Sequence, residues 1–144
     1  MKAERDKLKR LQRLERVRAI AKQSVATEAA RAEGTYTQLM QLAERTGQLA
    51  ADYAARTDIT DGAALREMNR FAAGLQGIRA ATQADANRAQ AIADKRQQEL
   101  AIAERRRAAV EDRATAQARQ MAARQSYAAL AGAIQSAKRR DSQG

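Results

Sequence analysis

A mostly apolar series recurs at every seventh position from Leu11: Arg18, Val25, Ala32, Leu39, Thr46 and Tyr53 follow it. A companion series lies three residues behind, at Leu14, Ala21, Glu28, Thr35, Leu42 and Leu49. Two interleaved, mostly apolar series predict the a and d seam of a coiled coil, with Arg18 and Glu28 as polar seam positions that set register. The chain of 144 residues contains no proline. Proline would remove a backbone donor and clash with the preceding turn, so its absence lets helices run long.

The pattern breaks once in the interior, at Thr57-Asp58-Ile59-Thr60-Asp61-Gly62-Ala63-Ala64. This cluster of turn and capping residues predicts a hinge over 57–61. Asp58, Thr60 and Asp61 can each accept from free amides at a helix start, and Asp61 is the expected N-cap. The first helix is predicted over about 4–56 and the second over about 62–138, with a frayed tail at 139–144. In the second helix the apolar positions are Leu65, Met68, Ala72, Leu75, Ala86, Ala89, Ala93, Leu100, Ala103, Val110, Ala114 and Met121. A stripe of Phe71, Ile78 and Ile92 lies beside them, which predicts a seam that drifts around the helix.

A short connection between long helices makes them antiparallel neighbours. The predicted fold is therefore all-α, one coiled-coil domain: an antiparallel helical hairpin whose second helix overhangs the first. Folding about residue 59 would bring Leu11 near Arg107 and leave an overhang from about Ala118. Tyr127, Leu130 and Ile134 fall on one face of that overhang, an uncovered stripe that calls for a partner. The paired part would form a rod on the order of 80 Å long, at 1.5 Å per helical residue.

Composition agrees with the pattern. Aromatics make up 3% of the chain and charged residues 31%. Few large side chains are available for a wide core, while helix-forming Ala, Arg, Gln and Glu dominate. Such a mixture could also mean disorder, but disordered segments lack periodicity. Neither Cys nor His occurs, which removes thiolate metal sites, the commonest metal ligand and the usual general base at neutral pH. Glu104, Glu111 and Asp112 sit among arginines and are expected to form salt bridges along the helix surface. No catalytic, cofactor or metal site is expected. No stretch approaches a membrane span of roughly 20 apolar residues, and the charged start, Met1 to Lys7, lacks the apolar core of a signal peptide. A soluble, cytoplasmic protein is the plain expectation.

The net charge is +10, concentrated towards both ends. Lys2 to Lys22 carries one basic cluster and Arg105 to Arg140 the other. Nucleic acid would be drawn to such ends by counterion release, but no interleaved aromatics or phosphate loop accompany them. Charge on long helices is more simply a solvated face. Tyr53, Phe71 and Leu75, joined by Met68 and Ile78, flank the hinge. They can serve as a hydrophobic plug, as an exposed docking knob, or as both.

In these residues the chain resembles the FliJ family, the small coiled-coil proteins of the bacterial flagellar type III export apparatus. The likeness covers nearly the whole length: the basic start around Leu8-Lys9-Arg10-Leu11, one hinge near residue 60, and a longer arginine-rich second helix. Its most local part is Leu65-Arg66-Glu67-Met68-Asn69-Arg70-Phe71-Ala72-Ala73-Gly74-Leu75, followed later by Glu104-Arg105-Arg106-Arg107-Ala108-Ala109-Val110-Glu111. The resemblance implies a stalk that binds the ring of the export ATPase and the cytoplasmic domain of the membrane export gate, with a role towards export chaperones. Gate contact would fall on Leu49, Tyr53, Phe71, Leu75 and Ile78. ATPase contact would fall on Leu8, Leu11, Arg13, Met121, Arg124 and Tyr127. It also implies peripheral association with the cytoplasmic side of the inner membrane, without insertion. Fewer aromatics precede the hinge than in the family. The alternatives are the equivalent stalk of a virulence secretion system, or a basic coiled-coil scaffold or nucleic-acid-associated protein.

Overall fold

The computed structural model describes residues 1–59 and 61–144; Thr60, one of the three capping candidates, lies outside the described residues. The described residues form two helices, α1 at Lys2–Ala54 and α2 at Gly62–Gln143. They pack against each other as an all-α helical hairpin. α1 thus starts and stops about two residues earlier than expected. α2 runs through the supposed frayed tail, where Ser142 Oγ donates to the Arg139 carbonyl at 3.0 Å.

The start of α2 has a clear local cause. Asp61 Oδ1 accepts from the Ala63 amide at 3.1 Å, and the Asp61 carbonyl accepts from the Leu65 amide at 3.0 Å. The side chain satisfies an orphan donor while the backbone begins the helical ladder, which is what an N-cap does. α1 closes with the Arg56 amide donating to the Tyr53 carbonyl at 3.4 Å, a tightened last turn typical of helix ends.

By contacts the chain divides into two units: Ser24–Ala101, which contains the hinge, and Met1–Gln23 with Ile102–Gly144. In the hinge unit the α1 residues turned inward are Val25, Ala29, Ala32, Tyr36, Leu39, Ala43, Thr46, Ala50 and Tyr53. The series beginning at Leu11 is therefore the seam, but its companion is not. Leu42 and Leu49 are exposed, as are Glu28 and Thr35. The true companion lies one residue later, at Ala29, Tyr36, Ala43 and Ala50. Alanine wins over leucine here because a small side chain lets the two backbones approach along the seam.

From α2 the same unit buries Met68, Leu75, Thr82, Ala86, Ala89 and Ala93, with Ala72, Arg96 and Leu100 half-buried. These positions keep a strict seven-residue repeat, so the expected drift does not occur. Phe71, Ile78 and Ile92 stay outside it, all exposed. Leu65, expected on the seam, is also exposed, because residues 61–67 are all exposed and the first buried residue of α2 is Met68. The buried hydroxyl of Thr46 donates to the Leu42 carbonyl at 2.8 Å, so it enters the seam without an unmet donor. Gly47 lies beneath the Arg79 side chain: a Cβ there would sit 2.8 Å from Arg79 Nε.

In the terminal unit the repeat persists but turns polar. Leu8, Leu11, Glu15, Arg18 and Lys22 of α1 are half-buried. They meet Ala103, Arg107, Val110, Ala114, Gln117 and Met121 of α2, of which Val110, Gln117 and Met121 are buried. Arg107 faces Glu15 at 3.6 Å, not Leu11, and Arg124 is ion-paired with Glu4. The register is thus shifted from the one obtained by folding about residue 59. The overhang begins after Arg124, and every residue from Ala122 onward is exposed.

Ion pairs hold this register. Arg107 reaches Glu104 at 2.8 Å and Glu111 at 2.7 Å besides Glu15, while Lys22 meets Glu104 at 2.8 Å. The hydrogen bonds from Arg107 and then from Lys22 pull the Glu104 carboxyl from its ordinary 4.5 down to about 2, against a smaller opposing effect of burial. A depressed carboxyl contributes stability that is complete above pH 4.5 and is lost as pH falls towards about 2. Acid titration of the thermal midpoint should therefore be steep in that window for the native chain and flatter for Glu104→Gln. Added salt should shrink the difference, since these groups are partly exposed.

Candidate functional site

The hollows beside Phe71, Tyr127, Met40 and Leu11 all open to the surface, so the candidate sites are surfaces flanking the seam. The hinge unit has two flanks of different character. On one, Gln83 Nε2 donates to Met40 Sδ at 3.6 Å; these residues directly follow the seam positions Leu39 and Thr82. On the other lie the residues that directly precede seam positions: Leu42 and Leu49 on α1, Phe71 and Ile78 on α2. Because the helices run antiparallel, residues preceding the seam on both helices border the same side. All four are exposed, so this flank carries a strip of apolar side chains.

The strip is anchored near the hinge. The Phe71 ring meets Tyr53 edge-on, with centroids 4.7 Å apart and planes at 68°. The Arg56 guanidinium carbon stands 5.0 Å from the centre of the Tyr53 ring. Such edge contacts add about 0.5–1.5 kcal/mol beyond area burial. Beside them is an open hollow lined by Glu67, Arg70, Phe71, Gly74, Leu75 and Ile78.

The residues expected to contact the gate divide accordingly. Leu75 is 9% exposed and belongs to the core, whereas Phe71 is 49% and Ile78 55% exposed. Leu49 shares the flank with Phe71 and Ile78, and Tyr53 is half-buried between them and the seam. Plug and knob are therefore different residues: Met68 and Leu75 face inward, Leu49, Phe71 and Ile78 outward. Leu42 also belongs to the strip. Its seven-residue spacing from Leu49 marked it in the sequence, but the same spacing assigned it to the seam.

The residues expected to contact the ATPase divide as well. Met121 is buried, and Leu8 and Leu11 are half-buried in the terminal unit. Arg124 is taken up by Glu4. Arg13 is exposed, and Tyr127 is 74% exposed, followed by exposed Leu130 and Ile134 along the overhang. Tyr127 and Leu130 line an open hollow with Ala123 and Ser126. Of that set, the side chains free to meet another molecule are Arg13 and Tyr127.

Among the described residues, no three acidic side chains come together as a metal cluster, and no helix is long and apolar enough to cross a membrane. Arg107 with Glu15 and Arg96 with Glu28 at 3.4 Å tie helix to helix, while Arg107 with Glu104 and Glu111, and Arg96 with Glu99 at 3.0 Å, pair along α2 itself. What the geometry offers is an apolar strip near the hinge and an uncovered stripe on the overhang. No family model, no curated protein and no solved structure matches the chain.

Proposed function

We propose that this chain is a stalk component of the bacterial flagellar type III protein export apparatus, binding the export ATPase ring and the cytoplasmic domain of the membrane export gate. It would work in the cytoplasm, peripherally at the inner membrane, in support of flagellum assembly, and would also meet export chaperones. The observation that carries the reading is the exposure of Phe71 and Ile78. Phe71 lies within the segment Leu65 to Leu75 on which the family resemblance is strongest, and Ile78 follows two turns after Phe71. An apolar strip held by an aromatic pair is the kind of anchor that concentrates binding energy.

Titration of the full chain against the gate's cytoplasmic domain tests this. Phe71→Ala with Ile78→Ala should weaken binding about 30-fold, taking roughly 1 kcal/mol for each lost anchor. Because both side chains point outward, helical circular dichroism should be nearly unchanged. Equal binding by native chain and double variant, or no binding by the native chain, would contradict the reading.

A further inference from the structure

The amino-terminal part of α1 has an outward face that neither the seam nor the proposed contacts explain. Val17 is 60% and Ile20 72% exposed, the two most exposed large aliphatic side chains among the described residues. Leu14, also exposed, stands one turn before Val17. All three lie away from Leu11, Glu15, Arg18 and Lys22, which form the inner side of the helix here.

Cations surround this apolar centre. Lys9, Arg10, Arg13 and Arg16 are exposed, with Arg10 and Arg13 one to two turns ahead of Val17 and Ile20. Between Lys7 and Lys22 the sole acid is Glu15, and it is turned inward onto Arg107 at 3.6 Å. Arg106 and Arg113 of α2 directly precede seam positions, as Leu14 does, so they border the same side. The face is therefore strongly positive, convex and aliphatic at its middle.

That combination selects a partner. A nucleic acid would use the arginines but give Val17 and Ile20 nothing to do. A protein would need a recess to receive a convex ridge. An anionic lipid surface matches both parts: aliphatic side chains enter the boundary between headgroups and acyl chains, while long cationic side chains reach headgroup phosphates. We propose that the outward face of α1 from Lys9 to Ile20 binds anionic membrane surfaces, with the helix lying along the surface. This stands apart from the export reading: its aliphatic centre, Val17 and Ile20, belongs to neither expected contact set, and Arg13 is the one exposed cation it shares with the expected ATPase contacts.

Co-sedimentation of the full chain with vesicles tests it, using phosphatidylcholine alone or with added phosphatidylserine. Binding should require phosphatidylserine and fall with salt. Val17→Ser with Ile20→Ser should weaken it tenfold or more, since each exposed aliphatic side chain would be buried on binding. The same double variant should bind duplex DNA as the native chain does, and circular dichroism should show its helices intact. Absence of vesicle binding at low salt would overturn the proposal. So would undiminished vesicle binding by the double variant, which would reduce the face to a polycation. Loss of gate and ATPase binding in separate assays would leave this result standing, so the two readings fail independently.

Discussion

Ala50→Asp should destabilise the hinge unit by about 3–5 kcal/mol, the cost of an uncompensated charge in a buried position. Leu49→Asp, one residue away, should change stability by no more than about 0.5–1 kcal/mol, mainly through helix propensity. The contrast follows from exposure: Ala50 is 0% exposed and Leu49 44%. Ordinary hydrophobicity would rank the two sites the other way, since leucine is the larger apolar residue. Urea unfolding followed by far-ultraviolet circular dichroism measures both. If Leu49→Asp proved the damaging change, the seam would run along Leu42 and Leu49 after all.

The second large effect separates core from surface at the candidate gate site. Leu75→Ala removes a buried side chain and leaves a cavity in the seam, and should cost about 2–4 kcal/mol. Ile78→Ala, at a site 55% exposed, should cost under about 1 kcal/mol. Thermal midpoints should differ accordingly, at roughly 2–4 °C per kcal/mol for a chain of this size. The distinction governs how binding data are read. A Leu75 variant that loses a partner has first lost part of its hinge unit, whereas Phe71 and Ile78 variants report on the surface itself. Equal thermal midpoints for Leu75→Ala and Ile78→Ala would place Leu75 outside the core.

Much of this architecture was legible in the sequence, and the failures have specific causes. The seven-residue series from Leu11 to Tyr53 and the cap at Asp61 are local signals: one a periodicity, the other a side chain bonding its own backbone. The companion seam was misplaced because three adjacent stripes of α1 are partly apolar, and leucines outrank alanines by size. Helix packing chose the alanines, which allow close approach, and left the leucines on the flank. The same choice turned an assumed piece of core into the candidate docking strip. Inter-helix register was not legible either. Folding about residue 59 treats the hinge as symmetric, but α1 ends at Ala54 and α2 buries nothing before Met68. Pairs such as Glu15 with Arg107 and Glu4 with Arg124 depend on that asymmetry. Val17 and Ile20 fitted neither apolar series, and that misfit was the available sign of an outward-facing patch.

The export reading joins these surfaces into one function: an apolar strip near the hinge for the gate and an uncovered overhang for the ATPase. Sedimentation velocity of the full chain mixed with the flagellar export ATPase from the same genome, with and without nucleotide, tests it most directly. A shift of the ATPase towards ring assemblies, with this chain co-sedimenting at substoichiometric amounts, is the predicted result. Failure to co-sediment in every nucleotide state would contradict the export role.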